Sequence, residues 1–366
     1  MTGKAPPEIR PDVLAQSRVE RAETIPASWY TDPAFDARDA ESIFATAWQC
    51  VGDTADLGET GQHITAEVAG NPIVVVRDEA GELRGFYNVC RHRAGPLATC
   101  AGRGKVLKCR YHGWTYRLDG SLRGVPHWDR VELFDREDYG LVPVAVDTWE
   151  GLLFVSLAAD PPPAPSTALA GVAERIAPID LGAMKFASEV VYRAACNWKV
   201  YIDNYLEGYH VPHVHPELFK LYDFQNYRTE LLAGGSLQHT PLNAEDNIYA
   251  TGEDGGTAFY YWFWPNFMLN ILPGRVQTNL VVPDGPGACR IVFRYYYSDV
   301  ASPRARRLMA DDLSYADAIQ EEDIDICRRV QRGLASRAYD RGRYSVAFEA
   351  GVHQFHEMLK ATYRDG

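Results

Sequence analysis

Residues 90–120, CRHRAGPLATCAGRGKVLKCRYHGWTYRLDG, carry the reading on which the fold turns. Cys90 and His92 form one pair; Cys109 and His112 form another, sixteen residues further on. Each half sets one thiolate and one imidazole on a tight loop. Two Cys and two His can hold a tetrahedral zinc. They can equally hold a [2Fe-2S] cluster, with the thiolates on one iron and the imidazoles on the other. A zinc finger of this composition would present both His on a helix. Here each pair is mixed, both lie between short β-like runs, and no helix follows the second. Cys100, between the pairs, matches no ligand position and is expected to be a small buried apolar residue.

Outward from this stretch, residues 48–158 read as a small all-β domain. Glycines break up short runs such as Ile73–Arg77, Gly85–Val89, Lys105–Leu107 and Leu152–Leu157. Residues 1–47 precede it as an arm, with a short helix expected around Ala37–Trp48 and packing against the later domain. The proline run from Asp160 to Pro165 predicts a stiff, extended linker. Residues 166–366 mix helices and strands. Helices are expected at Asn197–His210 and Ala310–Leu334, and strands at Val190–Ala195, Phe259–Trp264, Gln277–Val282 and Arg290–Tyr297. The class is α+β.

Composition narrows the partners. A net charge of -12 argues against nucleic acid, which wants a basic face. No apolar run is long enough to cross a membrane, and residues 1–15 do not read as a signal peptide. Seven scattered cysteines are not a disulfide framework, so a cytoplasmic setting is expected.

A second cluster lies in residues 197–217, NWKVYIDNYLEGYHVPHVHPE. If a helix spans Asn197–His210, then Asp203, Glu207 and His210 share one face. Pro212 disfavours further regular helix and lets His215 swing back. Two His need a carboxylate to complete a facial triad with open positions. In the late helix, Ala316, Ile319, Cys327, Val330 and Leu334 form an apolar stripe, and Asp323 falls inside it. A carboxylate on a buried face needs a partner or a metal. Glu322 and Asp325 are rotated away, toward solvent or to positions behind the ligands. His213 is expected at the surface or behind the ligands.

Taken together, residues 90–120 and 197–217 resemble the oxygenase (alpha) subunit of Rieske non-haem iron oxygenases. The aromatic run Phe259–Asn270 and the Asp203–Glu207 and Tyr209–Pro212 segments are most similar to the choline, betaine and carnitine oxygenase-like group. The resemblance implies a Rieske [2Fe-2S] domain on Cys90, His92, Cys109 and His112. It implies a following helix-grip-like antiparallel-sheet domain with a mononuclear Fe(II) on His210, His215 and Asp323. Glu207 would link an iron-ligating His to a cluster His of a neighbouring subunit, with Asp203 as the alternative bridge. A homotrimer is implied, with O2 as co-substrate. NAD(P)H would act indirectly, through a flavin/iron-sulfur reductase working alone or with a ferredoxin; no dinucleotide loop is present here.

The implied reaction is hydroxylation or oxidative N-demethylation of a small quaternary ammonium compound, since aromatic faces attract such cations. Two alternatives stay open: attack on an aromatic compound or carboxylate, for which Arg275 and Arg294 are available, and a Rieske electron carrier without oxygenase activity. Aromatics in a strand usually fill the core, and alternation points only half of them at a pocket.

Overall fold

The computed structural model describes residues 8–243, 249 and 256–365. It divides into two compact units, Ile43–Ala170 and a second made of Met1–Ser42 with Gly171–Gly366.

In the first unit a seven-stranded sheet runs in the order Gln49–Asp53, Leu152–Ser156, Pro143–Trp149, Leu83–Tyr87, Asn71–Arg77, Gln62–Val68, Gly102–Arg103. The strand Asn71–Arg77 is buried on both faces, which explains its unbroken apolar run Ile73–Val76. Ile73 and Val75 join Leu57, Ile64, Leu153 and Val155 in one core. Val74 and Val76 join Phe86, Trp114 and Tyr116 in another, beneath the Cys/His loops. The first of those loops follows the strand Leu83–Tyr87, and the second joins two strands of a small three-stranded sheet of Leu107–Lys108, Thr115–Tyr116 and Leu122–Gly124. The proline run is not a free spacer. Pro165 opens a short helix, Pro165–Ala168, and Ser166 N donates to Asp147 Oδ2 at 2.9 Å.

The second unit is a seven-stranded antiparallel sheet, ordered Lys185–Ala194, Cys289–Tyr297, Arg275–Pro283, Phe267–Leu272, Thr257–Phe263, Gly235–Pro241, Arg228–Leu232. With it go the helices Trp198–Tyr205, Pro303–Leu334 and Ala350–Asp365. Phe355, fully buried, sets its ring 5.7 Å from Trp198 and 5.5 Å from Trp262, joining helix, helix and sheet.

Three helices differ from expectation, the long one in beginning at Pro303 rather than Ala310, where Ser302 caps it by accepting from Ala305 N. The early one is Pro33–Asp39, followed by a wide turn at Ala40–Phe44. Asp32 caps it by accepting from Ala34 N, and Pro33 fits its first turn, so it starts before Ala37. The helix expected at Asn197–His210 stops at Tyr205. Beyond Leu206 the backbone at Gly208 lies against the Tyr227 ring, where a Cβ would come within 2.6 Å. Asp203, Glu207 and His210 therefore do not share a helical face. The apolar stripe of the long helix is also shorter than expected: Cys327 is buried, but Val330 is exposed.

A buried ion pair ties residues 33–39 to this unit. Asp39 accepts from Trp198 Nε1 at 2.8 Å and is bonded by Lys199 Nζ and Tyr363 Oη. Both ends of the pair are almost fully shielded. Asp39→Ala would strand the Lys199 ammonium in the core, at a cost of about 3–5 kcal/mol. Chemical denaturation should show that loss, and adding Lys199→Met should recover part of it.

Among the described residues no helix is long and apolar enough to cross a membrane. No disulfide joins any two of the seven cysteines. Cys100 is exposed rather than buried, because it sits on the open loop between the two Cys/His turns.

Candidate metal centres

The two Cys/His loops close in the same way. Ala94 N donates to Cys90 O at 3.0 Å, and Cys90 N to Gly95 O at 2.9 Å. In the second, Gly113 N donates to Cys109 O at 3.0 Å, and Cys109 N to Trp114 O at 2.9 Å. The fifth residue of each, Ala94 and Gly113, has positive φ. These turns sink the thiols and lift the imidazoles. Cys90 and Cys109 are buried, whereas His92 is half-buried and His112 exposed. The His92 and His112 rings stand 4.7 Å apart, and His92 stacks on buried Trp114. Gly95 leaves room for Cys109 Sγ, which a Cβ would meet at 2.9 Å.

Burial pushes the Cys90 thiol up, and the neighbouring Cys109 adds to this. A thiol so raised binds a metal only when the cation displaces its proton. Two buried sulfurs with two paired imidazoles at the rim fit a Rieske cluster. Tyr116 Oη lies 3.3 Å from Cys90 Sγ and accepts from Arg91 N at 3.0 Å. Hydrogen bonds to ligand sulfur favour the reduced cluster. Tyr116→Phe should therefore lower the midpoint potential without loss of the cluster, as redox titration would show.

In the second unit, His210, His215 and Asp323 offer ligand atoms that all lie within 4.8 Å of one another. The chain reaches this arrangement through two helix restarts. Asn197 caps Trp198–Tyr205 through Lys199 N. His210 then stands at the start of the turn Val211–Val214, and His215 at the start of Pro216–Leu221. Pro212 and Pro216 sit in first turns, where their missing N–H costs nothing. Pro212 thus opens a helical turn rather than ending one.

Each imidazole is oriented by its own carboxylate. Glu207 Oε1 lies 2.6 Å from His210 Nδ1, and its Oε2 accepts from His210 N at 3.0 Å. Glu322 Oε2 lies 2.7 Å from His215 Nδ1. Both Nε2 atoms then face Asp323 Oδ1, at 3.7 Å from His210 and 2.9 Å from His215. Asn204 Nδ2 donates to the same Asp323 oxygen at 2.6 Å. Burial disfavours a charged His215, yet Asp323 and Glu322 outweigh it and raise its pKa above the usual histidine value. Such a site holds a proton where a divalent cation would serve better, so the donor set fits iron.

Asp203 lies elsewhere. Tyr30 Oη donates to its Oδ2 at 2.6 Å, and His356 Nε2 lies 2.9 Å from its Oδ1. Tyr344 Oη lies 2.7 Å from the other nitrogen of His356. His213 is exposed, and Asp325 pairs with Arg328 and Arg329.

A cavity of about 140 Å³ opens beside the triad. Its wall includes Tyr201, Tyr205, Tyr222, Tyr227, Tyr260 and Tyr315. Of the run Phe259–Asn270 only Tyr260 and Asn270 reach it; Tyr261, Trp262 and Phe263 are core. The other tyrosines come from helices and loops outside that run, and Phe293 adds a ring from the strand Cys289–Tyr297. Tyr201, Asn204 and Tyr205 were recoverable from their i, i+3, i+4 spacing on one helix face. Arg275 is in the wall, with its Nε 3.1 Å from Asp312 Oδ2 and its guanidinium over the Tyr249 and Tyr295 rings. Arg294 points away from the cavity wall and stacks over Phe186.

Residues 47–135 match the family described as Rieske [2Fe-2S] domain, and residues 181–365 the ring hydroxylating alpha subunit (catalytic domain). The chain is 35% identical to choline monooxygenase of Arabidopsis thaliana, over 93% of this chain and 83% of that one. It is 30% identical to the carnitine monooxygenase oxygenase subunit of Escherichia coli K12, over the whole of both. Among solved structures, a quaternary ammonium Rieske monooxygenase superposes with a TM-score of 0.83 at 28% identity, over 93% of this chain and 95% of that one. That structure was described for carnitine oxidation by gut microbiota and for inter-subunit electron transfer. With both domain matches, near full-length relatives and two donor sets that suit the two iron centres, the chain belongs to the Rieske non-haem iron oxygenases, oxidoreductases that carry a [2Fe-2S] cluster and a mononuclear iron and use O2.

Proposed function

We propose that this oxygenase acts on a small quaternary ammonium compound, with Cys90, His92, Cys109 and His112 holding the cluster and His210, His215 and Asp323 holding the iron. The observation that carries the substrate reading is the tyrosine-walled cavity beside the triad. Ring faces attract an N-methylated cation. The wall carries the carboxylates of Glu207 and Asp323, and its one Arg among the described residues is matched by Asp312. A cation is therefore not repelled, while an aromatic carboxylate finds no free guanidinium. Gln320 Nε2 and Tyr315 Oη, buried and unpartnered, can hold a substrate oxygen.

When bound, the iron supplies the site at which O2 is activated with electrons delivered through the cluster. The chain's residues do the rest. Glu207 and Glu322 fix the Nδ1 protons of His210 and His215, which leaves both Nε2 lone pairs for the metal. Asn204 orients Asp323. The tyrosines would hold the cation with one C–H turned toward the His210, His215 and Asp323 donor set. The net reaction takes a substrate C–H, one O2, two electrons and two protons to C–OH and water. Hydroxylation beside nitrogen then breaks the C–N bond to release an aldehyde, the tertiary amine and a proton, and hydroxylation at a carbinol carbon gives a gem-diol that loses water to the aldehyde.

Glu207 is the bridge between subunits in this reading, because its carboxylate is bonded to the candidate iron ligand His210, whereas Asp203 bonds Tyr30 and His356 and neither His210 nor His215. That role requires neighbouring copies, so we place the chain in a homotrimer, served by a flavin/iron-sulfur reductase in the cytoplasm. A pure electron carrier would have no use for the triad or its cavity.

The test is a substrate panel with a reductase and NADH. Choline, carnitine and betaine analogues should yield aldehyde or formaldehyde in step with NADH use. Hydroxylated ring products from aromatic acids, with no aldehyde from any ammonium compound, would overturn the reading.

A further inference from the structure

Three of the seven cysteines, Cys196, Cys289 and Cys327, meet in the second unit outside both metal centres. All three are buried. Ala194 pairs with Cys289 across the sheet, which brings Cys196, two residues on, beside Cys289; the two Sγ atoms lie 4.0 Å apart. Cys327, one helical turn beyond Asp323 in the long helix, also bonds Cys196. A single buried free cysteine is a small apolar filler. Three that converge from two strand ends and a helix form a thiol site that the oxygenase reaction does not use.

The site lies close behind the substrate cavity. The Tyr201 hydroxyl, in the cavity wall, is pushed up by burial and then by Asp323, Cys327 and Cys289 nearby. Hydrogen bonds from Cys289 and Cys327 lower the Cys196 thiol below the usual cysteine value, although burial opposes them. Cys289, bonded to Cys196 and buried, is raised. Cys196 is thus the nucleophile of the pair. The next residue, Asn197, caps the helix Trp198–Tyr205 by accepting from Lys199 N at 3.0 Å, and its own N donates to Gln331 Oε1 at 2.8 Å. That helix brings Tyr201, Asn204 and Tyr205 to the wall.

We propose that Cys196 and Cys289 are a peroxide-sensitive thiol pair, whose disulfide displaces the cap of the helix that carries Tyr201, Asn204 and Tyr205. O2 that takes up two electrons and two protons without attacking a C–H becomes hydrogen peroxide, so the oxidant arises from the enzyme's own inputs. The Cys196 thiolate attacks one peroxide oxygen; an S–O bond forms, the O–O bond breaks, and hydroxide leaves as water with the thiol proton. The Cys289 sulfur then attacks the Cys196 sulfenic acid; the S–S bond forms and a second water leaves with the Cys289 proton. Two thiols and one peroxide give one disulfide and two waters. Bonded sulfurs stand roughly 2 Å apart, so closing the 4.0 Å gap draws Cys196, and Asn197 with it, toward the strand.

The experiment needs no substrate. The full-length, cluster-loaded protein is treated with a few equivalents of hydrogen peroxide, under conditions that leave the Rieske absorption intact. It is then alkylated, digested and examined by mass spectrometry. A Cys196–Cys289 disulfide should form in most chains, ahead of oxidation at the more accessible Cys50 and Cys100. Amide exchange in Trp198–Tyr205 should become roughly fivefold faster and recover with dithiothreitol. In Cys289→Ala, Cys196 should stop at the sulfenic acid and take up dimedone; no label there would overturn its role as nucleophile. Cys196 and Cys289 both still free once Cys100 is oxidised, or a bond from Cys196 to Cys327, would overturn the pair. A disulfide that leaves amide exchange unchanged would overturn the displacement of the cap.

Discussion

Glu207→Gln should cut coupled turnover by on the order of 100-fold while both metal centres stay loaded. The substitution keeps size and shape but removes the charge that holds the His210 Nδ1 proton. The Gln carbonyl can still accept from one N–H, so the loop keeps its course. It cannot also accept from His210 N as a carboxylate does through its second oxygen. The iron content and the visible spectrum of the cluster should therefore match wild type. The defect should appear in electron delivery, seen as cluster that stays reduced after O2 and substrate are mixed in. Turnover near the wild-type rate would assign the bridge elsewhere. Asp203→Asn is the matched control. Because Asp203 is bound within its own unit by Tyr30 and His356, that change should lower stability more than it alters electron delivery.

Asp323→Ala should remove the mononuclear iron and with it all product, leaving the cluster intact. Asp323 is the group that both Nε2 atoms face, and it supplies the negative charge of the donor set. Without it, two neutral imidazoles remain to hold a hard divalent cation, which oxygen ligands favour. Metal analysis should show iron falling to the cluster's share, and electron paramagnetic resonance should show an unchanged reduced-cluster signal. Product at more than a trace would mean that Glu322, or another carboxylate, serves as the ligand. Glu322→Gln should be milder, since it only orients His215 from the far nitrogen.

What could be read from sequence was local. The Cys/His pairs are set by spacing within single turns, so Cys90, His92, Cys109 and His112 could be picked out as candidate ligands one loop at a time. Asp323 was singled out by helical phase, which works inside one long helix. Phase failed where the helix itself ended: the element stops at Tyr205 with Leu206 as its cap, and Gly208, a residue type that often follows a helix end, was the signal passed over. What joins distant segments was not legible. The partners of Asp203 lie 173 and 153 residues away, and Glu322 reaches His215 across 107. The cavity draws its rings from several elements, so a run of aromatics in one strand pointed to core rather than to the substrate wall. Cys100 misled for the opposite reason: a residue type that is usually buried sits on an exposed loop between two ligand turns.

The central claim is that one chain joins a Rieske cluster to a triad-bound iron and turns O2 on a quaternary ammonium compound. The most direct test is a single turnover of the fully reduced protein with O2 and choline or carnitine, with no reductase present. Carbonyl product is trapped by a hydrazine and compared between wild type and Asp323→Ala. The account predicts aldehyde in proportion to loaded iron in the wild-type protein and none in the variant, although the clusters of both are oxidisable. Equal yields from the two proteins, or no carbonyl product from any ammonium compound with both centres loaded, would contradict it.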